Sequence, residues 1–274
     1  VSINTETFIF TLCSGLHYYD LMMNPNPLRA LWARDRAAIN GWLAIPNSFS
    51  AEVMARQGWD SLTVDLQHGL IEAAQLVPLL QAISQTPTVP LVRVPWNDPG
   101  VIMKSLDAGA MGIICPMINT REEAQRFVST TSYAPRGMRS FGPVRALHVY
   151  GADYPQWAND QIIRFAMIET RQALDNLESI LSVEGLDAVY VGPSDLSLSM
   201  GCTATFDDVD PPAAQAIEHI LARAKAHGLV AGIHNGRAEV ARARIQMGYR
   251  LTTISSDARL IAAGAQAILR AMQD

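Results

Sequence analysis

From residue 39 onward the chain alternates short apolar runs with amphipathic stretches, and it does so eight times. The apolar runs fall at residues 39–46, 61–67, 89–95, 112–118, 164–168, 187–191, 230–234 and 251–254. Their length and their β-branched and aromatic content read as strands. Stretches of helical period follow them at 48–56, 71–84, 99–108, 120–131, 171–182, 212–227, 238–247 and 258–272. Local signals agree: Asp98 is placed to cap the third helix, and Thr120 with Glu123 spells a capping box at the fourth. Eight strand–helix units predict a closed parallel (β/α)8 barrel, the TIM-barrel architecture. The alternative, an open doubly wound sheet, calls for a glycine-rich phosphate turn after its first strand, and Pro46-Asn-Ser-Phe-Ser is not one.

The whole chain has 274 residues, of which 49% are hydrophobic, enough for one such core. Residues 23–274 are therefore read as a single barrel, entered through a loop-like Asn24-Pro-Asn-Pro. Residues 1–22 are expected to lie outside the fold as a leader or extension, with an arm packed on a neighbouring subunit as the alternative. The apolar run 8–13 is too short to span a membrane and follows no basic segment, so no membrane attachment is expected. The net charge is -5 with no basic stripe, which argues against a nucleic-acid partner. Cys13, Cys115 and Cys202 lie far apart, with neither zinc spacing nor a disulfide framework, and this suits the cytoplasm.

In such barrels chemistry sits at the C-terminal ends of the strands. Two successive strands end there on acids: Phe165-Ala-Met-Ile-Glu169 and Val189-Tyr-Val-Gly-Pro-Ser-Asp195. A buried charge is costly unless it is paired or holds a metal. Glu169 and Asp195, side by side on one rim, would seat a hard divalent cation with positions left open for a chelating substrate. The plainer alternative makes each acid a cap for the helix that follows. The second strand ends Val64-Asp65-Leu-Gln67-His68-Gly69, the third carries Arg93, and the seventh ends at His234-Asn235. His68 is a weak signal alone, but Asp65 three residues earlier could hold its imidazole in one tautomer. Arg93 within an apolar strand needs an anionic ligand, or an acid partner in Asp65 or Glu169.

The two lysines, Lys104 and Lys225, fall on predicted outer helices, so no Schiff-base lysine reaches the rim. No Gly-x-Ser-x-Gly elbow offers a nucleophilic serine. Carbonyl chemistry here would have to be metal-assisted. The longest irregular piece, 132–161, carries Arg136, Arg139, Phe141, Arg145 and His148. A connection of that length is usually functional or an interface.

Five ordered motifs carry a resemblance from about residue 40 to the C-terminus. They are Val-Asp-Leu-Gln-His-Gly (64–69), Val-Arg-Val-Pro-Trp-Asn-Asp-Pro (92–99), Pro-Arg-Gly-Met-Arg-Ser (135–140), Ile-Glu-Thr-Arg (168–171) and Val-Gly-Pro-Ser-Asp-Leu-Ser (191–197). On these the chain resembles the metal-dependent class II pyruvate aldolases of the HpcH/HpaI type. The resemblance implies a barrel of the phosphoenolpyruvate/pyruvate-domain type that cleaves 4-hydroxy-2-oxo acids to pyruvate and an aldehyde. It implies that Glu169 and Asp195 ligate magnesium, manganese or cobalt. Arg93 would bind the oxo group and steady the enolate, and His68, oriented by Asp65, would handle the 4-hydroxyl proton. The pyruvate carboxylate would rest on N–H groups near Gly192, Ser194 and Asp195. It further implies a homo-oligomer, commonly a hexamer with an exchanged last helix.

The chain departs from the family at Gln67, at Met167 and after Arg139, positions in the site walls. The aldehyde side of the pocket is therefore assigned to His234, Phe141, Arg139 and Met167, with the long connection reaching over the rim. Two other functions compete. One is a citrate-lyase or malyl-CoA type of lyase, for which Arg136, Arg139 and Arg145 are the only basic candidates. The other is a non-catalytic barrel that binds oxo acids.

Overall fold

Eight strands pair in sequence order, all in parallel, and the eighth closes on the first. They are β1 (Ala38–Leu43), β2 (Ser61–Asp65), β3 (Val89–Arg93), β4 (Gly112–Cys115), β5 (Ile163–Ile168), β6 (Ala188–Val191), β7 (Val230–Asn235) and β8 (Leu251–Ile254). The computed structural model describes residues 26–273. The predicted leader, 1–22, lies outside them. Between the strands run α2 (Ser48–Ala55), α3 (Ala73–Ile83), α4 (Pro99–Asp107), α5 (Arg121–Thr131), α8 (Arg171–Asp175) with α9 (Leu177–Leu181), α10 (Pro193–Ser199) with α11 (Pro211–Ala226), and α12 (Ala238–Met247). The described residues begin with α1 (Pro27–Trp32) and end with α13 (Asp257–Ala271), and α6 (Val144–Tyr150) and α7 (Tyr154–Gln161) precede β5. No described helix is long and apolar enough to cross a membrane.

The starts of these helices follow from side-chain capping. Asp98 accepts from the Val101 N–H at 3.0 Å at the head of α4. At α5, Thr120 Oγ1 accepts from Glu123 N, and Glu123 Oε2 accepts from Thr120 N at 3.1 Å, closing the predicted box. Strands β2, β4, β5 and β6 are buried at every position, as a sheet covered by helices on one face and filled on the other must be.

The lumen is partly polar. Tyr190 on β6 donates to Thr253 on β8 at 2.6 Å, skipping β7, so the bond crosses the barrel interior. Asn40 joins the same set, donating to Thr253 at 2.8 Å and accepting from Ser61 at 2.8 Å and Thr63 at 3.2 Å. Each of these buried polar groups has a partner, which removes the penalty for sealing it from water.

The N-terminal mouth is closed by a helix, unforeseen in the sequence, that starts at the last residue of the expected loop-like entry. Asn26 caps α1 by accepting from Leu28 N, and Pro27 takes the first helical position, where its missing N–H costs nothing. Arg29 pairs with Asp187 at 2.6 Å, and the Trp32 indole donates to the Arg250 carbonyl at 2.8 Å. Both partners lie just ahead of strands, which sets α1 across the bottom of the barrel.

The long connection 132–161 also lies at that bottom end, contrary to the expectation that it reaches over the catalytic rim. It links a helix to the next strand, and in a parallel barrel such links run along the N-terminal face. Arg139 is buried, donates to Asp107 at 2.9 Å and Tyr154 Oη at 3.0 Å, and packs 4.3 Å from the Tyr133 ring centroid. Arg145 donates to the Ala108 carbonyl and to Ser84, and Arg136 pairs with Asp160. Phe141 is exposed beside Tyr133. Arg139 and Phe141 are thus no part of a pocket at the opposite end.

Beyond its first turn, helix α13 is little covered by the described residues. Asp257 is its one buried residue, while Ile261, Ile268 and Leu269 are more than half exposed.

Candidate active site

A cavity of about 350 Å³ opens at the C-terminal ends of the strands. Asp65, His68, Arg93, Met167, Gly192, Ser194, Asp195 and His234 all line it. Glu169 sits beneath, at the tip of β5, with 2% of its surface exposed.

Asp65 and Arg93 form its best-defined pair. Register places them opposite each other on β2 and β3. Arg93 Nε donates to Asp65 Oδ1 at 2.8 Å and Nη2 to Oδ2 at 2.6 Å, the two-pronged geometry that a planar guanidinium offers a carboxylate. Trp42 Nε1 also donates to Oδ2 at 3.0 Å. Burial acts to raise the Asp65 pKa, but the bonds and charge of Arg93, then Trp42 and the Gln67 N–H, outweigh it and hold the carboxyl below its usual range. Arg93 Nη1 has no protein acceptor among the described residues and remains for a ligand. The guanidinium also lies 4.8 Å from the Trp42 ring centroid.

This changes the role assigned to Asp65. Its Oδ1 accepts from the backbone N–H groups of Gln67 at 3.0 Å and His68 at 3.3 Å, not from the imidazole. Asp65 therefore shapes the turn that presents His68 and fixes Arg93. Gly69 completes the turn, because a Cβ there would fall 2.3 Å from the Asp65 carbonyl oxygen. The His68 ring bonds no described protein group and faces the cavity.

The two acids do not act as helix caps. Thr170 caps α8, accepting from Ala173 N at 3.0 Å, and Asp195 lies inside the first turn of α10 behind Gly192. Glu169 Oε1 accepts from Met117 N at 2.8 Å. Met117 holds φ at 55°, a left-handed conformation rare for a side chain of its kind. Burial lifts the Glu169 carboxyl to about 7, with the Met117 bond opposing and the Asp195 charge adding. A Cβ at Gly192 would sit 2.6 Å from Glu169 Oε2, so glycine leaves that oxygen its room.

This pair fits a hard divalent cation. Oε2 of Glu169 receives no hydrogen bond from a described group, and Asp195 stands beside it. No third His, Cys, Asp or Glu converges among the described residues. Two carboxylates with the remaining positions left to water and substrate oxygens is the donor set magnesium-like ions take.

The opposite wall is aromatic. His234 Nδ1 lies 3.2 Å from Tyr190 Oη, with Trp42 edge-on at 5.0 Å and Phe206 at 4.7 Å. Burial, then the Arg93 charge, pushes its pKa down to about 3, so the ring is neutral near pH 7. Trp42, Tyr190, Phe206, Ser256 and Arg259 also line the cavity and were not foreseen. Trp42 and Tyr190 stand on strands already read as such, so inspecting inward positions along each strand, not just the tips, would have found them. Phe206, in the loop between α10 and α11, carries no such signal.

Known proteins resemble this chain over most of its length. The sequence profile described as HpcH/HpaI aldolase/citrate lyase matches residues 39–263. The chain is 42% identical to a hydroxypyruvate/pyruvate aldolase of Rhizorhabdus wittichii, over 89% of this chain and 97% of the relative. It is 36% identical to a 4-hydroxy-2-oxo-heptane-1,7-dioate aldolase of Salmonella dublin, over 85% and 89%. Among solved structures, an HpcH/HpaI aldolase/citrate lyase family protein from Burkholderia cenocepacia J2315 superposes with a TM-score of 0.85 at 31% identity, covering 91% of this chain and all of that one.

Proposed function

The chain belongs to the HpcH/HpaI aldolase/citrate lyase family, and we propose that it is a metal-dependent class II aldolase that reversibly cleaves 4-hydroxy-2-oxo acids to pyruvate and an aldehyde. The observation that carries the reading is the meeting, at one cavity, of Asp195, the clamped Arg93 and the unpartnered His68, with Glu169 packed against Gly192 in the cavity wall. A divalent cation held by Glu169 and Asp195 would supply positive charge to the oxygens of the oxo acid, where the reaction builds negative charge.

The protein groups divide the remaining work. Arg93 Nη1 donates to the 2-oxo oxygen, and because Asp65 already fixes the guanidinium, little reorganisation is needed as charge develops there. In cleavage the C3–C4 bond breaks, its electron pair passes to C3 and on to the 2-oxo oxygen, and C4 becomes the aldehyde carbon. His68, through water or directly, takes the 4-hydroxyl proton, and in synthesis it returns that proton to the new alkoxide. The N–H groups of the turn at Gly192, Ser194 and Asp195 are assigned the pyruvate carboxylate. The relative named a hydroxypyruvate/pyruvate aldolase supports a small 2-oxo acid as the donor. Met167, His234, Trp42 and Phe206 then form the wall the aldehyde meets.

A lyase acting on a CoA thioester is disfavoured. The arginines that would have met its nucleotide, Arg136, Arg139 and Arg145, are bonded within the chain at the other end of the barrel. A purely binding role leaves His68 and Arg93 Nη1 without a purpose. Helix α13 supports a homo-oligomer in which it is exchanged between copies, as a hexamer in keeping with the resemblance, since its apolar residues find little cover among the described residues. The free thiols of Cys115 and Cys202 support a cytoplasmic location. The reaction is tested by offering pyruvate, manganese and a panel of aldehydes. Metal-dependent exchange of the pyruvate C3 protons and a 4-hydroxy-2-oxo acid product are expected, and a borohydride-trapped pyruvate adduct would overturn the reading.

A further inference from the structure

We propose that Arg259 is a specificity-determining residue that binds an oxyanion at the far end of the aldehyde substrate; this rests on the aldolase reading above. The argument begins with charge. The cavity is lined by two guanidiniums, Arg93 and Arg259. Arg93 is neutralised by Asp65 at 2.6 Å. Arg259 meets no carboxylate among the described residues; it lies with its guanidinium carbon 4.9 Å from the Phe206 ring centroid. The acids of the site, Glu169 and Asp195, belong to β5 and the turn after β6, whereas Arg259 follows β8. The unpaired cation is therefore displaced around the rim from the metal seat, where the aldehyde rather than the pyruvate must extend.

Its placement is built rather than incidental. Ser256 caps α13 by accepting from Arg259 N. Asp257 ties the same turn to the end of β1, accepting from Ala44 N at 2.9 Å and Ile45 N at 3.2 Å. The Phe206 loop is tied in turn by Asp207, which accepts from Gly236 N at 2.9 Å and pairs with Arg237. Phe206 thus forms a platform that both His234 and Arg259 pack against. A guanidinium laid on an aromatic face keeps its in-plane N–H groups available to a carboxylate or phosphate. His234 is neutral and does not compete for the anion. A cavity of about 350 Å³ is small for a binding site, so the aldehyde is short.

The test compares kcat/KM for matched aldehydes with pyruvate and manganese: succinic semialdehyde against butanal, and glyceraldehyde 3-phosphate against glyceraldehyde. The wild-type protein should prefer a charged partner. Preference for the semialdehyde assigns the subsite to a carboxylate, and preference for the phosphorylated aldehyde assigns it to phosphate. Arg259→Gln should cut the charged-to-neutral ratio by about tenfold or more, and Arg259→Lys by less, because a point charge replaces the fork only in part. Pyruvate C3 exchange, measured without aldehyde, reports the metal, Arg93 and pyruvate alone. Exchange in the wild type with no change of ratio in Arg259→Gln overturns the Arg259 proposal and leaves the aldolase reading standing. Absence of exchange and of any aldol product in the wild type overturns both.

Discussion

Asp65 holds Arg93 by two of its three guanidinium nitrogens, at 2.8 and 2.6 Å, and in doing so dedicates the third to a ligand. The pair is nearly sealed from water, with side-chain exposures of 3% and 11%. Removing one partner from such a pair strands the other charge, at a cost of about 3–5 kcal/mol. Asp65→Asn should therefore lower stability in urea unfolding by up to that amount, and lower kcat by about 100-fold as Arg93 loses its alignment. Unchanged kcat in a folded Asp65→Asn protein would remove Asp65 from the positioning role.

Arg93 and His68 should separate by reaction. Arg93→Lys should suppress both aldol cleavage and pyruvate C3 exchange, since both pass through charge on the 2-oxo oxygen. His68→Ala should lose cleavage and retain part of the exchange. Equal loss of both reactions in both variants would contradict this division.

Glu169→Gln or Asp195→Asn should abolish turnover with the circular dichroism spectrum unchanged, and calorimetry should show weakened manganese binding. Full activity after exhaustive chelation would contradict the metal assignment. In the apo protein the Glu169 carboxyl ionises near 7, so ion binding below that pH must displace its proton. The heat of binding at pH 6 should then vary with the ionisation enthalpy of the buffer.

His234 predicts a pH dependence of stability. Its folded pKa, about 3, lies below the unfolded value of about 6.5. Between those values the unfolded chain binds more protons, so this contribution is fully present above about pH 6.5 and is lost as pH falls towards 3. At pH 5 the loss is about 2 kcal/mol. His234→Gln should lose correspondingly less stability than wild type between pH 7 and pH 5 in urea unfolding. In NMR spectra the His234 ring signals should stay at their neutral positions down to pH 5.

The aldehyde wall predicts selectivity changes at Trp42, Phe206 and His234 rather than at Phe141 or Arg139. Phe206→Ala and His234→Leu should change the kcat/KM ratio between polar and apolar aldehydes by about tenfold, roughly 1.4 kcal/mol of differential transition-state binding, with pyruvate KM little altered. Phe141→Ala should leave that ratio alone. A shift in pyruvate KM without a shift in the ratio would overturn the wall assignment.

The strands and most helix starts were legible in the sequence because local signals and the global fold agree there. Asp98 and Thr120 cap the helices they were expected to cap. The ends of β2, β3, β6 and β7 delivered polar residues to one cavity because a parallel barrel leaves them no other place. The bonding of Asp65 was legible only as an alternative: its spacing from His68 suggested the imidazole, while an acid partner for Arg93 was left open between Asp65 and Glu169, and register across β2 and β3 decides for Asp65. The position of Arg139 and Phe141 could have been read from topology, since a segment between a helix and the next strand belongs to the N-terminal face. Helices α6 and α7 escaped because each is eight residues or shorter, and α1 because Asn-Pro reads equally as a turn or as a cap.

Helix α13 joins two matters that a sequence alignment would treat separately. Its first turn carries Arg259 into the cavity, and the rest of its length extends beyond its own barrel with apolar residues bare. A second copy that covers that length, as proposed, would also steady the turn at its root. If association through α13 strengthens anion binding at Arg259, then by thermodynamic reciprocity the anion would strengthen that association by the same factor. Dilution would then erode substrate preference before it erodes the fold, and enzyme concentration becomes a variable in any measurement of selectivity.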